Sequence, residues 1–440
     1  MIEGRGGPQL DIGFEDAREI LARGIPREVV AGKRVLVLTP DATRTCPLPM
    51  MITALRQTVG GLARQLDFMI ALGSHTPMRE QQILDLYGIT PDRRDREFAG
   101  SRFLNHRWDL EDTLTPLGVI EAEEIGELTG GLFREPVTVD LNRTALEYDL
   151  IIVLGPVFPH EVVGISGGDK YLFPGISGGQ FLHFFHWLGA VITCWETIGY
   201  KDTPVRRLIE RAARMVQVPR HFVCMVVGHA AAGSDSEPTE REAATPGGPG
   251  RHILAGLYVG DKEAWAAAAD LSTQLHVEYD DRPYHTVLGR AAPMYDELWV
   301  GGKVMYKLEP VVAEGGRLII YGPRIREISR TWGRYLERIG YHVRDYFLAQ
   351  MDRFADVPRG VLAHSTHVKG LGSYENGVER PRIEVILATG IPEELCRRVN
   401  LGYLDPASVR VEDYRGREEE GILFVDHAGE ILHRLRSDKR

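Results

Sequence analysis

The stretch "KRVLVLTPDATR", residues 33–44, contains an apolar run that passes directly into a polar loop. Val35 to Leu38 are all apolar, which is typical of a strand buried on both faces of a parallel sheet. The same order recurs in "LDFMIALGSHTPM" (66–78) and "YDLIIVLGPVFPH" (148–160). Helical patterns lie between these strands, for example over residues 79–87. The alternation of strands and helices predicts an α/β fold with a parallel sheet.

Polar side chains follow the carboxyl end of each predicted strand. Asp41 and Arg44 follow the first strand, His75 follows the second and His160 the third. Ligands of open parallel sheets bind outside the carboxyl ends of the strands. The shared placement of these side chains therefore predicts a functional site at this edge of the sheet.

A second α/β pattern begins near Tyr284. We therefore predict two α/β domains, an N-terminal one over residues 1–280 and a C-terminal one over residues 281–440. Residues 229–250 are small, polar and rich in Pro and Gly, which predicts an exposed loop or lid. The tail "GILFVDHAGEILHRL" (421–435) predicts a closing hairpin.

The composition excludes several classes of protein. The 440 residues are 43% hydrophobic and 26% charged, which indicates a globular protein with a large core. A net charge of -10 argues against nucleic acid as the main partner. No apolar run approaches the ~20 residues that span a bilayer, no signal peptide is visible, and the four cysteines form no CxxC pair. We therefore expect a cytoplasmic protein with no membrane partner.

A single lysine lies between two glycine-rich turns in "PHEVVGISGGDKYLFPGISGGQFLHFFH" (159–186). Glycines such as Gly167 and Gly168 permit a close backbone approach, and the amides of such turns can bind an anion such as a phosphate. Neither the phosphate-binding pattern GxxxxGK[ST] nor the dinucleotide pattern GxGxxG is present. Lys170 could be a point charge beside the anion, a desolvated nucleophile, or an ordinary surface lysine.

Two histidines, His183 and His186, lie one helical turn apart on the apolar stretch 181–195. Histidines on apolar helices are commonly core residues, but this pair could also bind a metal. No HExxH motif is present. A metal held here would therefore take most of its ligands from a cofactor.

Several of these motifs together resemble the nickel-dependent lactate racemase family. They are "DATR" (41–44), "GSH" (73–75), "PHEVVGISGGDK" (159–170), His186 and "TIGYKDTPVR" (197–206), and their spacings agree with the family. The resemblance implies a nickel-pincer nucleotide cofactor, pyridinium-3-thioamide-5-thiocarboxylic acid mononucleotide with Ni(II). It also implies cofactor-synthesis enzymes in the cell as partners.

The resemblance gives each matching residue a role. Lys170 would attach the cofactor, His186 would bind nickel, and His75 and His160 would be the paired acid and base groups. The remaining residues expected to bind the cofactor are Asp41, Thr43, Arg44, Ser166, Gly167, Gly168 and Lys303. The expected reaction is the inversion of C2 of a small-molecule 2-hydroxy acid by proton-coupled hydride transfer, in an active site within the interdomain cleft.

The C-terminal half departs from the family pattern. Trp299 and Val300 stand where the family has a tyrosine and a glutamine, and residues 362–377 offer His364, His367 and Lys369 where the family places a tryptophan over the substrate. We therefore expect a substrate larger or more polar than lactate, such as a sugar acid or a dicarboxylate. Its expected contacts are Arg44, Trp299, His364, His367 and Lys369. An ordinary polar loop over 362–377 is the alternative.

Two other functions remain open at the level of sequence. A homologue with the same fold could bind a nucleotide or anion without catalysis, but loss of the lysine or the histidines would then be expected. A metal-dependent hydrolase could use the histidine pairs. That function predicts activity with zinc and no ultraviolet–visible cofactor signature.

Overall fold

The computed structural model describes residues 2–73, 75–229, 252–426 and 428–438. The predicted loop or lid over 229–250 therefore lies, apart from His229, outside the described residues. In the described ranges no helix is both long enough and apolar enough to cross a lipid bilayer.

Twenty strands form the sheets of the described chain. They are β1 (Glu3–Gly6), β2 (Arg34–Thr39), β3 (Gln65–Ile70), β4 (Phe103–Asn105), β5 (Leu114–Ile120), β6 (Val137–Asn142), β7 (Leu150–Pro156), β8 (Pro159–His160), β9 (Gly164–Ile165), β10 (Arg220–His229), β11 (His252–Gly260), β12 (Val277–Asp280), β13 (Tyr284–Arg290), β14 (Val312–Gly322), β15 (Gly372–Glu375), β16 (Val378–Pro381), β17 (Glu384–Thr389), β18 (Gly402–Tyr403), β19 (Ile422–Val425) and β20 (Leu432–Leu435).

Sixteen α-helices accompany these strands in the described ranges. They are α1 (Phe14–Gly24), α2 (Arg27–Val30), α3 (Leu48–Val59), α4 (Glu80–Tyr87), α5 (Pro91–Glu97), α6 (Ala122–Leu128), α7 (Gly179–Ile192), α8 (Cys194–Thr197), α9 (Pro204–Ala213), α10 (Lys262–His276), α11 (Leu298–Gly301), α12 (Lys303–Leu308), α13 (Gly333–Ile339), α14 (Arg344–Leu348), α15 (Arg359–Lys369) and α16 (Glu393–Arg398).

The first half of the chain builds a seven-stranded sheet in the order β1-β11-β10-β7-β2-β3-β4. The five strands from β10 to β4 are parallel, whereas β11 pairs antiparallel with both β1 and β10. Alternate residues of β2 enter two separate cores, since Val35 and Val37 pack on one face and Leu36 and Leu38 on the other. Burial on both faces explains the continuous apolar run of this strand, and the predicted α/β fold is confirmed.

The second half builds a five-stranded parallel sheet in the order β18-β17-β14-β13-β19. Its core also takes side chains from the first half, among them Trp187 on α7 and Cys194 on α8. The two halves therefore share buried apolar surface, which fixes α7 against the second half. The domain boundary between residues 280 and 281 stays a prediction.

The tail does not form the predicted hairpin. β19 pairs in parallel with β13, and β20 pairs in parallel with β12. Arg434 on β20 is buried and donates to the carbonyls of Ile198 and Trp195, at 2.7 and 2.8 Å. These contacts hold β20 against the first half of the chain, so the hairpin prediction was wrong because tertiary partners outweigh local pairing.

The stretch 362–377 is not a loop either. Its first part belongs to α15, and its second part contains β15, which pairs antiparallel with β16 just beyond the stretch. Every residue of α15 after Arg359 is buried. The polar side chains find partners inside the protein, such as the bond from Ser365 Oγ to the carbonyl of Gly340 at 2.9 Å. A polar sequence can therefore form a buried helix here.

Candidate active site

The loops that follow β2, β3 and β7 line one cavity together with α7, α11, α12 and α15. Asp41, Arg44, His75 and His160 all reach it, as the positions of the strand ends predicted. Lys170 and His186 line the same cavity from the glycine-rich segment and α7. Trp299, Lys303, His364 and His367 close it from the second half of the chain.

Asp41 and His75 form the closest pair of the cavity. His75 Nδ1 lies 2.5 Å from Asp41 Oδ2, and Asp41 Oδ1 accepts from Thr43 Oγ1 at 2.6 Å. Burial alone would raise the pKa of Asp41, but His75, Arg44 and Thr43 outweigh it and hold that pKa well below its usual value. Because an ionised carboxylate can only accept, the neutral form of His75 carries its proton on Nδ1 and has a lone pair on Nε2.

His160 has the opposite tautomer. Its Nδ1 accepts from the backbone N–H of Val162 at 3.2 Å, so the proton of the neutral ring lies on Nε2. Burial, with the nearby charges of Lys170 and Arg44, lowers the pKa of His160 well below its usual value. The Glu161 carboxylate lies 3.4 Å from the same Nδ1 and would stabilise the ring when it is protonated. In their neutral forms the two imidazoles are thus opposite tautomers, with a lone pair on Nε2 of His75 and a proton on Nε2 of His160.

Lys170 lies on a short 3-10 turn, Gly168–Tyr171, that follows two glycines with positive φ. A Cβ on Gly167 would lie 2.8 Å from Val157 Cγ2, so the turn requires glycine there. Burial, followed by the charge of Arg44, lowers the pKa of Lys170 to about 7. A substantial fraction of the Lys170 amine is therefore neutral and nucleophilic at physiological pH.

His186 is oriented by its own helix. Its Nδ1 lies 2.7 Å from the carbonyl oxygen of Leu182, which can only accept, so Nδ1 carries the proton. Its Nε2 is therefore left unprotonated in a cavity-lining ring, and burial lowers the pKa of His186 to about 3. An imidazole whose other nitrogen binds a carbonyl is the usual form of a metal ligand. His183 lies outside the lining and packs edge-on against Trp332.

The second half contributes aromatic and basic side chains. The ring of Trp299 lies 4.3 Å from that of His364, centroid to centroid. Tyr306 Oη lies 3.1 Å from His364 Nδ1. The Nε2 atoms of His364 and His367 are buried and have no hydrogen-bond partner among the residues that the structure describes. Burial, with the charge of Arg44, lowers the pKa of Lys303 well below its usual value.

Three residues expected at the site do not line this cavity. Lys369 turns away and donates to the carbonyl of Asn400 at 2.6 Å. Gly168 packs against the ring of Trp265, where an added Cβ would lie 3.2 Å from Cδ1. Thr43 does not contact the cavity itself but donates a hydrogen bond to Asp41 Oδ1. Its hydroxyl also accepts from Arg44 Nη1 at 2.8 Å. Ser166 and Gly167 do reach the cavity.

Sequence reasoning missed three polar residues that line the cavity, Glu161, Tyr171 and Tyr306. Tyr306 comes three positions after Lys303, which places it on the same face of α12. Glu161 and Tyr171 each adjoin a residue that the sequence did single out. Helical spacing was the available signal for Tyr306. Only the tertiary structure shows that Glu161 and Tyr171 line the cavity.

Parts of the chain are similar to known proteins. The lactate racemase N-terminal domain matches residues 19–196. The chain is also similar, over part of its length, to two lactate racemases. It is 26% identical over 200 residues to a lactate racemase from Thermoanaerobacterium thermosaccharolyticum and 24% identical over 153 residues to one from Lactiplantibacillus plantarum. These matches cover 44% and 34% of the chain and span 42% and 32% of the two relatives.

Solved structures extend the likeness to the whole fold. A crystal structure of a protein from Thermotoga maritima is 30% identical, with a TM-score of 0.84, over 98% of this chain and 100% of that one. The lactate racemase apoprotein from Thermoanaerobacterium thermosaccharolyticum has a TM-score of 0.69 at 15% identity, over 98% of this chain and 95% of that one. The second match supports the α/β fold alone.

Proposed function

We propose that this protein is a racemase or epimerase of the lactate racemase family that inverts C2 of a 2-hydroxy acid with a nickel-pincer nucleotide. The observation that carries the proposal is the meeting of Lys170, His186, His75 and His160 in one cavity. Each has the form that its role requires: a partly neutral amine, an unprotonated Nε2, and one imidazole of each tautomer.

The residues present fit the cofactor. The amine of Lys170 is the group that would form the thioamide, and His186 Nε2 would supply the protein ligand to nickel. Arg44, Ser166 and Gly167 line the same cavity and could hold the nucleotide phosphate. Imidazole nitrogen is a ligand that Ni(II) accepts, with sulfur and carbon donors from the cofactor.

The cofactor, when bound, would accept a hydride from C2 and return it. The chain's own contribution is proton transfer at the substrate hydroxyl. His75, with its Nδ1–H held by Asp41, can accept that proton at Nε2. His160 would donate a proton from Nε2 in the return step when its ring is protonated, a form that the Glu161 carboxylate 3.4 Å from Nδ1 would stabilise, and the donation would return the ring to its neutral form. We place the two rings on opposite faces of the substrate, since inversion requires a proton donor on the face opposite to the acceptor.

The cavity suits an anionic substrate. Arg44 brings a positive charge to the cavity, and Lys303 brings a buried amine. The lowered pKa of Lys303 reflects burial near other cations, so a bound carboxylate would restore its charge and gain an ion pair. Arg44 adds a planar donor pair for a carboxylate.

The substrate we propose carries polar groups beyond the hydroxy acid itself. His364 and His367 each bring a buried Nε2 that has no hydrogen-bond partner in the described part of the chain. A sugar acid or dicarboxylate would satisfy these atoms, whereas lactate would leave them without a hydrogen bond. Trp299 covers His364 and offers an apolar face for the carbon chain.

The experiment is a turnover assay on the protein co-expressed with cofactor-synthesis enzymes. Single enantiomers of lactate, malate and aldonic acids are incubated, and the products are separated by chiral chromatography. We expect inversion at C2, fastest with an acid more polar than lactate. Zinc-dependent hydrolysis without inversion would favour the hydrolase, and ligand binding without any turnover would favour a binding protein. Either result would overturn the proposal.

A further inference from the structure

We propose that His229, His252 and Glu430 form a second metal site, for a divalent transition ion of the zinc class. One ligand atom from each residue lies within 4.8 Å of the other two. None of the three residues lines the cavity of the candidate active site. Two imidazoles and one carboxylate are a ligand set that Zn²⁺ uses when a fourth position stays open to water. The inference is independent of the proposed function.

The sheet fixes the two histidines as a pair. His229 ends β10, His252 begins β11, and the two are direct partners in that antiparallel ladder. Side chains at directly opposed positions point to the same face, with Cβ atoms about 4.5–5.5 Å apart. The two ring centroids lie 4.8 Å apart. The strand pairing therefore holds two imidazoles ready for one ion, and little backbone ordering remains to be done on binding.

Glu430 comes from the segment between β19 and β20 and faces the pair. Its Oε2 lies 3.2 Å from His229 Nε2, and its Oε1 accepts from Thr45 Oγ1 at 2.8 Å. Lys307 Nζ binds the main-chain carbonyl of Glu430, at 3.0 Å, and leaves the carboxylate to the histidines. A carboxylate held by a hydroxyl on its far oxygen is typical of metal ligands.

Glu430 is held in a largely buried position, with a side chain that is only 12% exposed. A simple ion pair would need one imidazole, whereas this site assembles two around one carboxylate.

A metal here would join parts of the chain that are far apart in sequence. It would tie the ends of β10 and β11 to the segment between β19 and β20. Through Thr45, which adjoins Arg44, it would also support the loop that lines the candidate active site. We therefore expect zinc to raise the unfolding temperature of the protein, since it binds the folded state alone.

The test measures Zn²⁺ binding by calorimetry to chelator-stripped protein made without the cofactor-synthesis enzymes. We expect one tightly bound Zn²⁺ per chain. His252→Gln and Glu430→Gln should each weaken that binding at least about tenfold, and Thr45→Val should weaken it less. His342→Gln is the matched control, because His342 Nδ1 lies 2.8 Å from Glu379 Oε2 without a second imidazole. His186→Gln separates this site from the cavity, and both controls should bind zinc as the wild type does.

Two results would overturn the inference. One is wild-type zinc affinity in both His252→Gln and Glu430→Gln, and the other is an absence of bound zinc in the wild type. Should either variant lose its fold by circular dichroism, the X-ray absorption spectrum of the zinc-loaded wild type decides. A first shell with two imidazoles supports the site, and one with fewer excludes it.

Discussion

Asp41 Oδ2 lies 2.5 Å from His75 Nδ1, although the two residues follow different strands of the seven-stranded sheet. β2 and β3 are parallel neighbours, so the loops at their carboxyl ends meet at one edge. The contact fixes the tautomer of His75 and leaves its Nε2 available to accept a proton. Among the contacts of the candidate site, the one between Asp41 and His75 depends most directly on β2 and β3 being neighbours in the sheet.

Asp41→Asn should lower kcat by about 10²-fold or more with little change in KM, because the amide loses the charge that supports protonated His75. Since the pKa of Asp41 is well below its usual value, the carboxylate stays ionised at neutral pH, and its own titration should not appear in the wild-type rate profile there. Thr43→Val is the matched control, which removes one bond to the same carboxylate, and it should cost less. A wild-type kcat in Asp41→Asn would contradict the role of the pair.

Lys170→Met should stabilise the cofactor-free protein, and more so at low pH. The pKa of Lys170 falls from 10.5 to about 7 on burial, so between these values the unfolded chain binds a proton that the folded protein does not. The cost of burying this lysine is therefore complete below pH 7 and fades as the pH rises towards 10.5. We expect a gain in unfolding free energy on the order of 1–3 kcal/mol at pH 6 that shrinks by pH 10.

Denaturant titrations of Lys170→Met at several pH values measure this gain. The exposed Lys262, which pairs with Glu210, supplies the control Lys262→Met for loss of a surface lysine. A gain that is the same at pH 6 and pH 10 would show that the charge of Lys170 is not the cause.

His364→Phe should change substrate preference rather than basal chemistry. The variant removes a buried Nε2 that we assign to a polar substrate group. For a polar hydroxy acid we expect kcat/KM to fall about tenfold or more, relative to the value for lactate. Thr366→Val, on the same helix, is the control, because the Thr366 hydroxyl binds the carbonyl of Ala363. An equal loss for lactate and for the polar acid would refute this specificity role.

The position of the candidate site at one edge of the sheet was predictable, because the apolar sequence of a strand changes sharply to the polar sequence of the following loop. The apolar run of β2 ends at Leu38, and Asp41 follows three positions later. Parallel strands then bring such loops together by a general rule of α/β folds. The helix predicted over residues 79–87 is likewise confirmed by α4.

The second half of the cavity was harder to predict, because its polar residues lie on a buried helix. His364 and His367 belong to α15, whose composition resembles that of a loop. Only contacts with distant residues, such as the bond from Lys369 to Asn400, make that burial favourable. Because Lys369 binds the carbonyl of Asn400, it does not contact the cavity as the sequence suggested.

The pair of His229 and His252 gave no signal in the sequence either. His229 and His252 are far apart in sequence, and their pairing depends on the register of β10 and β11, which the sequence alone does not give. Glu430 reaches the pair only because β20 joins β12 rather than folding back on β19. A hairpin in the tail, as predicted, would have kept these elements apart.

Attachment of a nickel-bearing cofactor to Lys170 is the central claim, and intact-protein mass with nickel analysis tests it most directly. The protein is co-expressed with cofactor-synthesis enzymes, digested and mapped, with His186→Ala and Lys170→Ala in parallel. We predict a covalent adduct on the Lys170 peptide with about one nickel per chain, as expected for a single imidazole ligand beside the cofactor. The adduct should persist without nickel in His186→Ala and vanish in Lys170→Ala. A wild-type protein with neither adduct nor nickel would contradict the account.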